Sequence, residues 1–214
     1  GMSAASDKFA AQSAQDLADL SAGHPLAWLC SVGPQGLQAT PLPLLPKHDD
    51  TGRLVAIEGH FARGNSQVEA LRQNPEALVL WMGVQGYVSP SWLSDRTQAP
   101  SWNYASAQCR VRVQFLDNDE TALTAHLDEL ARRFEAGRPK AWNVAEMGPR
   151  LQLLAQRVIA FRAEVVELRE RYKLGQDERD DVFGELLQGL GADPLAGWMR
   201  RFNPGRGTPP NTNS

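Results

Sequence analysis

A strict alternation past the middle of the chain does most to limit what it can fold into. Cys109, Val111, Val113 and Phe115 alternate with Gln108, Arg110, Arg112 and Gln114. Successive side chains of an extended strand point to opposite faces, so this run sets one face on a core and the other in water. The same period returns in Ile159, Phe161, Ala163 and Val165, which predicts a long strand late in the chain.

Shorter runs fill in the rest. Leu26–Ser31, Leu37–Leu45, Leu54–Ile57, Leu78–Met82 and Tyr87–Val88 read as strands, with turns at Gly33–Gly36, Asp49–Gly52 and Gly83–Gly86. Pro41 and Pro43 lack backbone donors and push their strand to an edge or a bulge. Helices are expected over Asp16–Leu20, from Ser66 through a Ser66/Glu69 capping box to Asn74-Pro75, over Leu123–Phe134, around Leu151–Leu154, and over Val182–Leu190 with Asp177 as cap. Some seven strands with few helices between them do not make a βαβ series. They predict a mainly β, α+β chain: an antiparallel barrel or sandwich with peripheral helices.

The 214 residues suit one large domain or one domain with appended helices. Gly1 before Met2 reads as a tag residue, residues 1–15 as a flexible N-terminus, 16–190 as the domain, and 191–214 as a largely disordered tail rich in Gly, Pro, Thr and Asn from Asn203. A net charge of −3 offers no global positive field to nucleic acid. No run approaches the roughly 18 apolar residues of a membrane helix, and residues 3–15 lack the apolar core of a signal peptide. The expectation is a cytoplasmic protein with no membrane partner. Cys30 and Cys109 sit in apolar strands and read as buried free thiols, a single bridge between them being the alternative. His24, His48, His60 and His126 are scattered, with no i, i+4 pair and no CxxC, so no metal centre is expected. No G-x-S-x-G occurs, neither cysteine has a nearby histidine, and no catalytic acid or base can be named.

Three segments are not needed for packing. Gly59-His60-Phe61-Ala62-Arg63-Gly64-Asn65-Ser66-Gln67 joins a strand to a helix start, where orphan N–H groups and Arg63 suit an anion. A capped loop with Arg63 in a surface ion pair is the plain alternative. Ser89-Pro90-Ser91-Trp92 and Trp102-Asn103-Tyr104 bring hydroxyls, an amide and aromatics together, fit for a planar ring or for sealing the end of a barrel. Tyr172-Lys173-Leu174-Gly175-Gln176 is either a second anion contact or a strand-to-helix turn.

Taken together, and in this order, these segments resemble the PaiB-like FMN-binding negative transcriptional regulators. That family carries GH-x-A-R-x-N-x-Q, S-P-S-W, W-N-Y and K-L-x-Q, here at Gly59–Gln67, Ser89–Trp92, Trp102–Tyr104 and Lys173–Gln176. Glu135-Ala136-Gly137-Arg138-Pro139 with Trp142 is similar too, and the agreement runs from about residue 16 to 190. The resemblance implies an antiparallel FMN-binding split barrel of Greek-key type, a homodimer with FMN at the subunit interface, and a regulator for which DNA is a partner by family implication only. It implies cofactor contacts from His60, Arg63, Asn65, Gln67, Ser89, Ser91, Trp92, Trp102, Asn103, Lys173 and Gln176. An enzyme of this kind would be a flavin-dependent oxidoreductase. The alternatives are a regulatory or interaction protein without flavin, and a haem-handling split barrel with His60 as ligand. The chain departs from the family pattern at Leu93, in the short loop to Ala99, at Ser66, at Gln108, and at Gly175, Asp177 and Glu178. The last two add negative charge beside a proposed phosphate contact.

Overall fold

The computed structural model describes residues 7–207. Among these residues, seven strands form one antiparallel sheet: β1 (Leu26–Gly33), β2 (Gly36–Pro43), β3 (Leu45–His48), β4 (Leu54–Ala62), β5 (Glu76–Val88), β6 (Ser101–Phe115) and β7 (Val158–Lys173). Their order is β2-β1-β5-β6-β7-β4-β3, so the pairing ends at β2 and β3 instead of closing. Six α-helices among the described residues accompany them: α1 (Ala14–Gly23), α2 (Ser66–Gln73), α3 (Glu120–Glu135), α4 (Arg150–Ala155), α5 (Asp180–Leu190) and α6 (Pro194–Arg201). The α+β expectation holds. Pro41 and Pro43 lie on the edge strand β2, where a missing donor costs no ladder bond on the open side.

Contacts divide the chain into two compact units. In the first, residues 7–23, 82–107 and 169–207, Leu17 and Leu20 of α1, Phe183 of α5, and Leu195 and Met199 of α6 are buried. Tyr172 stacks on Phe202 there, with ring centroids 4.7 Å apart. The second unit, residues 24–81 and 108–168, buries Leu29, Ile57, Phe61, Leu71, Ile159 and Phe161. Gly59 is required at its centre, since a Cβ there would stand 2.7 Å from Phe161 Cζ.

Several expectations are corrected. Gly83–Gly86 does not turn; β5 runs straight through it. Gly83 marks close packing instead, because a Cβ would lie 3.0 Å from Leu20 Cγ and 3.1 Å from the Ala105 carbonyl. The cap of α2 is Asn65, one residue before Ser66, and α5 begins after Arg179 while Asp177 pairs with Lys8 at 3.4 Å. Residues from 7 onward are anchored: Phe9 is buried and its carbonyl accepts from the Tyr172 N–H at 2.8 Å.

The region expected as a largely disordered tail contains α6, capped by Asp193 and burying Leu195, Ala196 and Met199. Arg201 fixes this helix to α1, reaching Asp16 at 2.7 Å and Asp19 at 2.6 Å. The remaining ends of the two expected flexible segments, 1–6 and 208–214, lie outside the described residues.

Candidate functional site

The first motif lies in the second unit. β4 carries His60 and ends at Ala62; Arg63 and Gly64 turn the chain, and α2 follows. The turn is closed by Asn65 N–H donating to the Ala62 carbonyl at 3.0 Å, and the Arg63 N–H donates to the Arg157 carbonyl at 2.8 Å. The Arg63 side chain is exposed, and among the described residues its guanidinium has no hydrogen-bond or ion-pair partner. It lines a cavity of about 370 Å³ with Gly64, Asn65, Ser66, Glu69 and Arg72. The Arg72 fork is closed on Asp117 by two bonds of 2.7 Å. Arg63 is thus the cation of this cavity without a hydrogen-bonded partner, although its charge also acts on the Asp117 carboxylate.

Asn65 and Gln67 do a different job. Asn65 Oδ1 caps α2 by accepting from Gln67 N–H at 2.9 Å. Gln67 is only 1% exposed, and its amide reaches β1 and β2: Nε2 donates to the Leu29 carbonyl, Ser31 Oγ and the Gln38 carbonyl, and Oε1 accepts from Thr40 Oγ1 at 2.6 Å. Thr40, Ser31 and Gln38 belong to no sequence motif. Their signal was the alternation of Gln38 and Thr40 through otherwise apolar β2, with Ser31 the lone polar side chain of β1.

His60 Nδ1 lies 3.0 Å from Nε2 of His126 on α3. His126 is buried, and among the described residues its Nδ1 has no partner. Burial holds both imidazoles below the usual histidine range. His126 falls to about 4, with His60 and Lys47 pushing the same way and Glu129 opposing. Lys47 of β3 pairs with Glu129 and, at 3.6 Å, with Glu58. His60 and His126 are scattered in the sequence; the fold brings them together because His126 sits inside the apolar stripe Leu123–Leu130 of α3.

The other motifs lie in the first unit. Ser89 Oγ accepts from Ser91 N–H at 3.0 Å and meets Ser91 Oγ at 2.6 Å, which caps the tight turn Pro90–Trp92. Trp92 is half-buried against Gly189, where any Cβ would run into the indole. Leu93, the departure from the family pattern, is buried and packs inward.

Trp102 is exposed beside Tyr87, ring centroids 5.9 Å apart. Lys173 Nζ donates to Ser101 Oγ at 2.5 Å and to the Trp102 carbonyl at 2.9 Å, so Trp102 and Lys173 share one exposed surface. Asn103 and Gln176 do not join it. Asn103 is buried with Nδ2 3.6 Å from Met199 Sδ, and Gln176 ties Leu174 N–H to the Tyr172 carbonyl across the strand-to-helix turn.

Both cysteines are free, Cys109 buried and Cys30 half-buried. Burial pushes the Cys109 thiol up to about 12 and raises Cys30. Cys30 belongs to a face that the sequence reading missed. On the outer side of β1 stand Leu26 (64% exposed), Trp28 (51%), Cys30 and Val32 (51%). The register sets Val32 against Leu37 (84%), Cys30 against Ala39, and Trp28 against Pro41 of β2 and Leu80 of β5. An antiparallel sheet with a wet side is normally polar there, and a contiguous apolar patch signals a contact surface. No helix among the described residues is long and apolar enough to cross a membrane.

Residues 5–167 match the family model described as "Putative FMN-binding domain". The chain is 30% identical over 156 residues to the protease synthase and sporulation protein PAI 2 of Bacillus subtilis, covering 71% of this chain and 72% of that one. Among solved structures, the FAD and haem binding protein of Mycobacterium smegmatis aligns with a TM-score of 0.54 at 22% identity, over 80% of this chain and 77% of the other. The flavocytochrome Anf3 of Azotobacter vinelandii aligns with a TM-score of 0.54 at 13% identity, over 78% and 70%. These two share the fold. The family match, which spans the first three motifs, and the 30% identical relative show that the chain belongs to the PaiB-like family of FMN-binding domains.

Proposed function

We propose that this protein binds FMN with the phosphate at Arg63, and that it does so as a homodimer joined through the outer face of β1 and β2. The observation that carries the phosphate assignment is the free Arg63 guanidinium on a cavity that also presents the start of α2. A phosphate fits this donor set: a guanidinium clamps two oxygens, and the start of α2, whose Gln67 and Val68 N–H groups are taken by Asn65, adds a positive dipole end. Glu69 and the Arg72–Asp117 pair leave the cavity no second free cation, so Arg63 supplies most of the attraction. When bound, the flavin ring would supply electron chemistry that side chains lack. The dimer reading rests on Trp28, Val32 and Leu37, too exposed and too contiguous for a sheet face left in water.

The haem alternative gains nothing from the His60–His126 contact, which engages Nδ1 and leaves Nε2 untouched. DNA, a partner by family implication only, gains nothing from the arginines of α3 and the segment after it either. Arg132 pairs with Asp128 at 2.7 Å, Arg133 with Glu129 at 3.0 Å and Arg138 with Glu135 at 3.8 Å, so these cations are already answered.

Purified protein should show flavin absorption, or quench the fluorescence of added FMN. Arg63→Ala should weaken FMN by about 1–3 kcal/mol, the range for losing one charge-assisted hydrogen-bonding group. Riboflavin, which lacks the phosphate, should bind both proteins alike. Equal losses for FMN and riboflavin, or no loss for either, would remove Arg63 from the phosphate.

A further inference from the structure

Thr40 lies on β2, far in sequence from Arg63, yet a chain of oriented hydrogen bonds joins it to the turn that carries Arg63. The orientation follows from counting donors. One end of the Gln67 amide faces the Leu29 carbonyl at 3.1 Å, the Gln38 carbonyl at 3.3 Å and Ser31 Oγ at 2.8 Å. Carbonyls only accept, so that end is the NH2 group. The other end is therefore the oxygen, and it lies 2.6 Å from Thr40 Oγ1, which must spend its single proton there. Thr40 Oγ1 then has only acceptor capacity left for Asn65, so the Asn65 atom at 3.0 Å is Nδ2. Asn65 Oδ1 is thereby turned to the Gln67 N–H as the cap of α2. Two backbone carbonyls of β1 and β2 thus fix the rotamers of three side chains in series.

That series ends on the Arg63 turn. Ala62, Arg63, Gly64 and Asn65 form a turn whose closing bond is Asn65 N–H to the Ala62 carbonyl. Its entrance is held where the Arg63 N–H meets the Arg157 carbonyl. Its exit is Asn65, held by Thr40. Gly64 offers no side chain to brace the turn, and a Cβ placed there would meet nothing within 4 Å. The exit bond is what keeps the guanidinium and the start of α2 on the same cavity.

We propose that Thr40 is a positioning residue of the phosphate site: by donating to Gln67 and accepting from Asn65, its hydroxyl holds the Arg63 turn against the start of α2. The proposal rests on the phosphate assignment to Arg63. It also gives the motif Asn65 and Gln67 a role without ligand contact. Asn65 must be an amide because it serves two masters, a helix N–H through its oxygen and Thr40 through its nitrogen; aspartate would keep the cap and lose the donor.

FMN is titrated by fluorescence quenching, with riboflavin alongside, against wild type, Thr40→Val, Thr40→Ser, Arg63→Ala and Thr40→Val/Arg63→Ala. Thr40→Val keeps the side-chain shape and deletes the hydroxyl. It should raise the FMN dissociation constant about tenfold, and no more than Arg63→Ala does, and leave riboflavin within about twofold. Thr40→Ser should recover the lost affinity. In the Arg63→Ala background Thr40→Val should add little, because it acts through Arg63. Asn65→Ser keeps a capping oxygen and removes the amide donor, and should reproduce the FMN-selective loss even if Thr40→Val folds poorly. If Arg63→Ala itself leaves FMN unaffected, the phosphate assignment fails and this proposal falls with it. If Arg63→Ala weakens FMN but Thr40→Val and Asn65→Ser do not, or weaken FMN and riboflavin equally, the assignment stands and the positioning role alone is overturned.

Discussion

Trp28→Glu is expected to turn dimers into monomers. Wild type should elute in light-scattering chromatography at twice the 23.5 kDa chain mass, and the variant at once that mass. Trp28 sits mid-strand in the exposed apolar stripe, flanked by Leu26 and Cys30 along β1 and by Pro41 and Leu80 across it. Tryptophan at the centre of a contact face is the residue type whose truncation costs most, and a glutamate in its place would be buried without a partner. A loss of about 4 kcal/mol, roughly a thousandfold in dissociation constant, is the scale expected. The fold should survive, because Ala27 and Leu29 on the other side of β1 hold the core and Trp28 points away from it. Val166→Glu, an equally exposed apolar position on β7, serves as the control and should leave the mass unchanged. A variant that stays dimeric would move the interface elsewhere, and a monomeric wild type would remove the dimer altogether.

The same strand shows why the sequence was legible in some places and silent in others. β6 announces itself because its outer face is Gln108, Arg110, Arg112 and Gln114, so the period of two is written in charge. β1 writes no period, since Leu26, Trp28 and Val32 are as apolar as the buried Ala27 and Leu29. A uniformly apolar run hides which face is core, and it hides the outer face for the reason that makes that face informative. The motifs mark the Arg63 turn but not the hydrogen bonds that each residue makes there. Asn65 and Gln67 look like ligands in one dimension, and only the fold brings Thr40 and the carbonyls of Leu29 and Gln38 to their amides. Helix α6 was missed because Arg200, Arg201 and the Gly-rich segment beyond dilute a short apolar stripe. Its burial depends on Asp16 and Asp19, more than 180 positions earlier in the chain.

The protein should lose stability as pH falls from neutrality toward 4, with His126 as a principal cause. His126 titrates near 6.5 in the unfolded chain and near 4 in the folded one, because burial disfavours its charged form and His60 and Lys47 add to that. Between these values the unfolded chain binds a proton that the folded one refuses, so acid pulls the equilibrium toward unfolding. The penalty is absent above 6.5, grows as pH falls, and is complete below about 4. The gap of about 2.5 pH units corresponds to roughly 3 kcal/mol. His60 shifts in the same direction and adds to the loss.

The groups facing the pair offer little relief. Lys47 on β3 repels a second cation, and Glu129 on α3 is already shared between Lys47 and Arg133. Glu58 on β4 is shared between Lys47 and Arg162. Urea unfolding at pH 7.5 and 4.5 should therefore separate wild type from His126→Leu. At pH 7.5 the two should lie within about 1 kcal/mol, because the variant loses one hydrogen bond to His60 but also removes an unpartnered buried nitrogen. At pH 4.5 the variant should be the more stable protein, by up to about 2 kcal/mol, having shed the group that wants the proton. An unchanged acid slope in His126→Leu would assign the acid lability to the carboxylates whose pairing fails at lower pH, such as Asp117 with Arg72, and not to the imidazole pair.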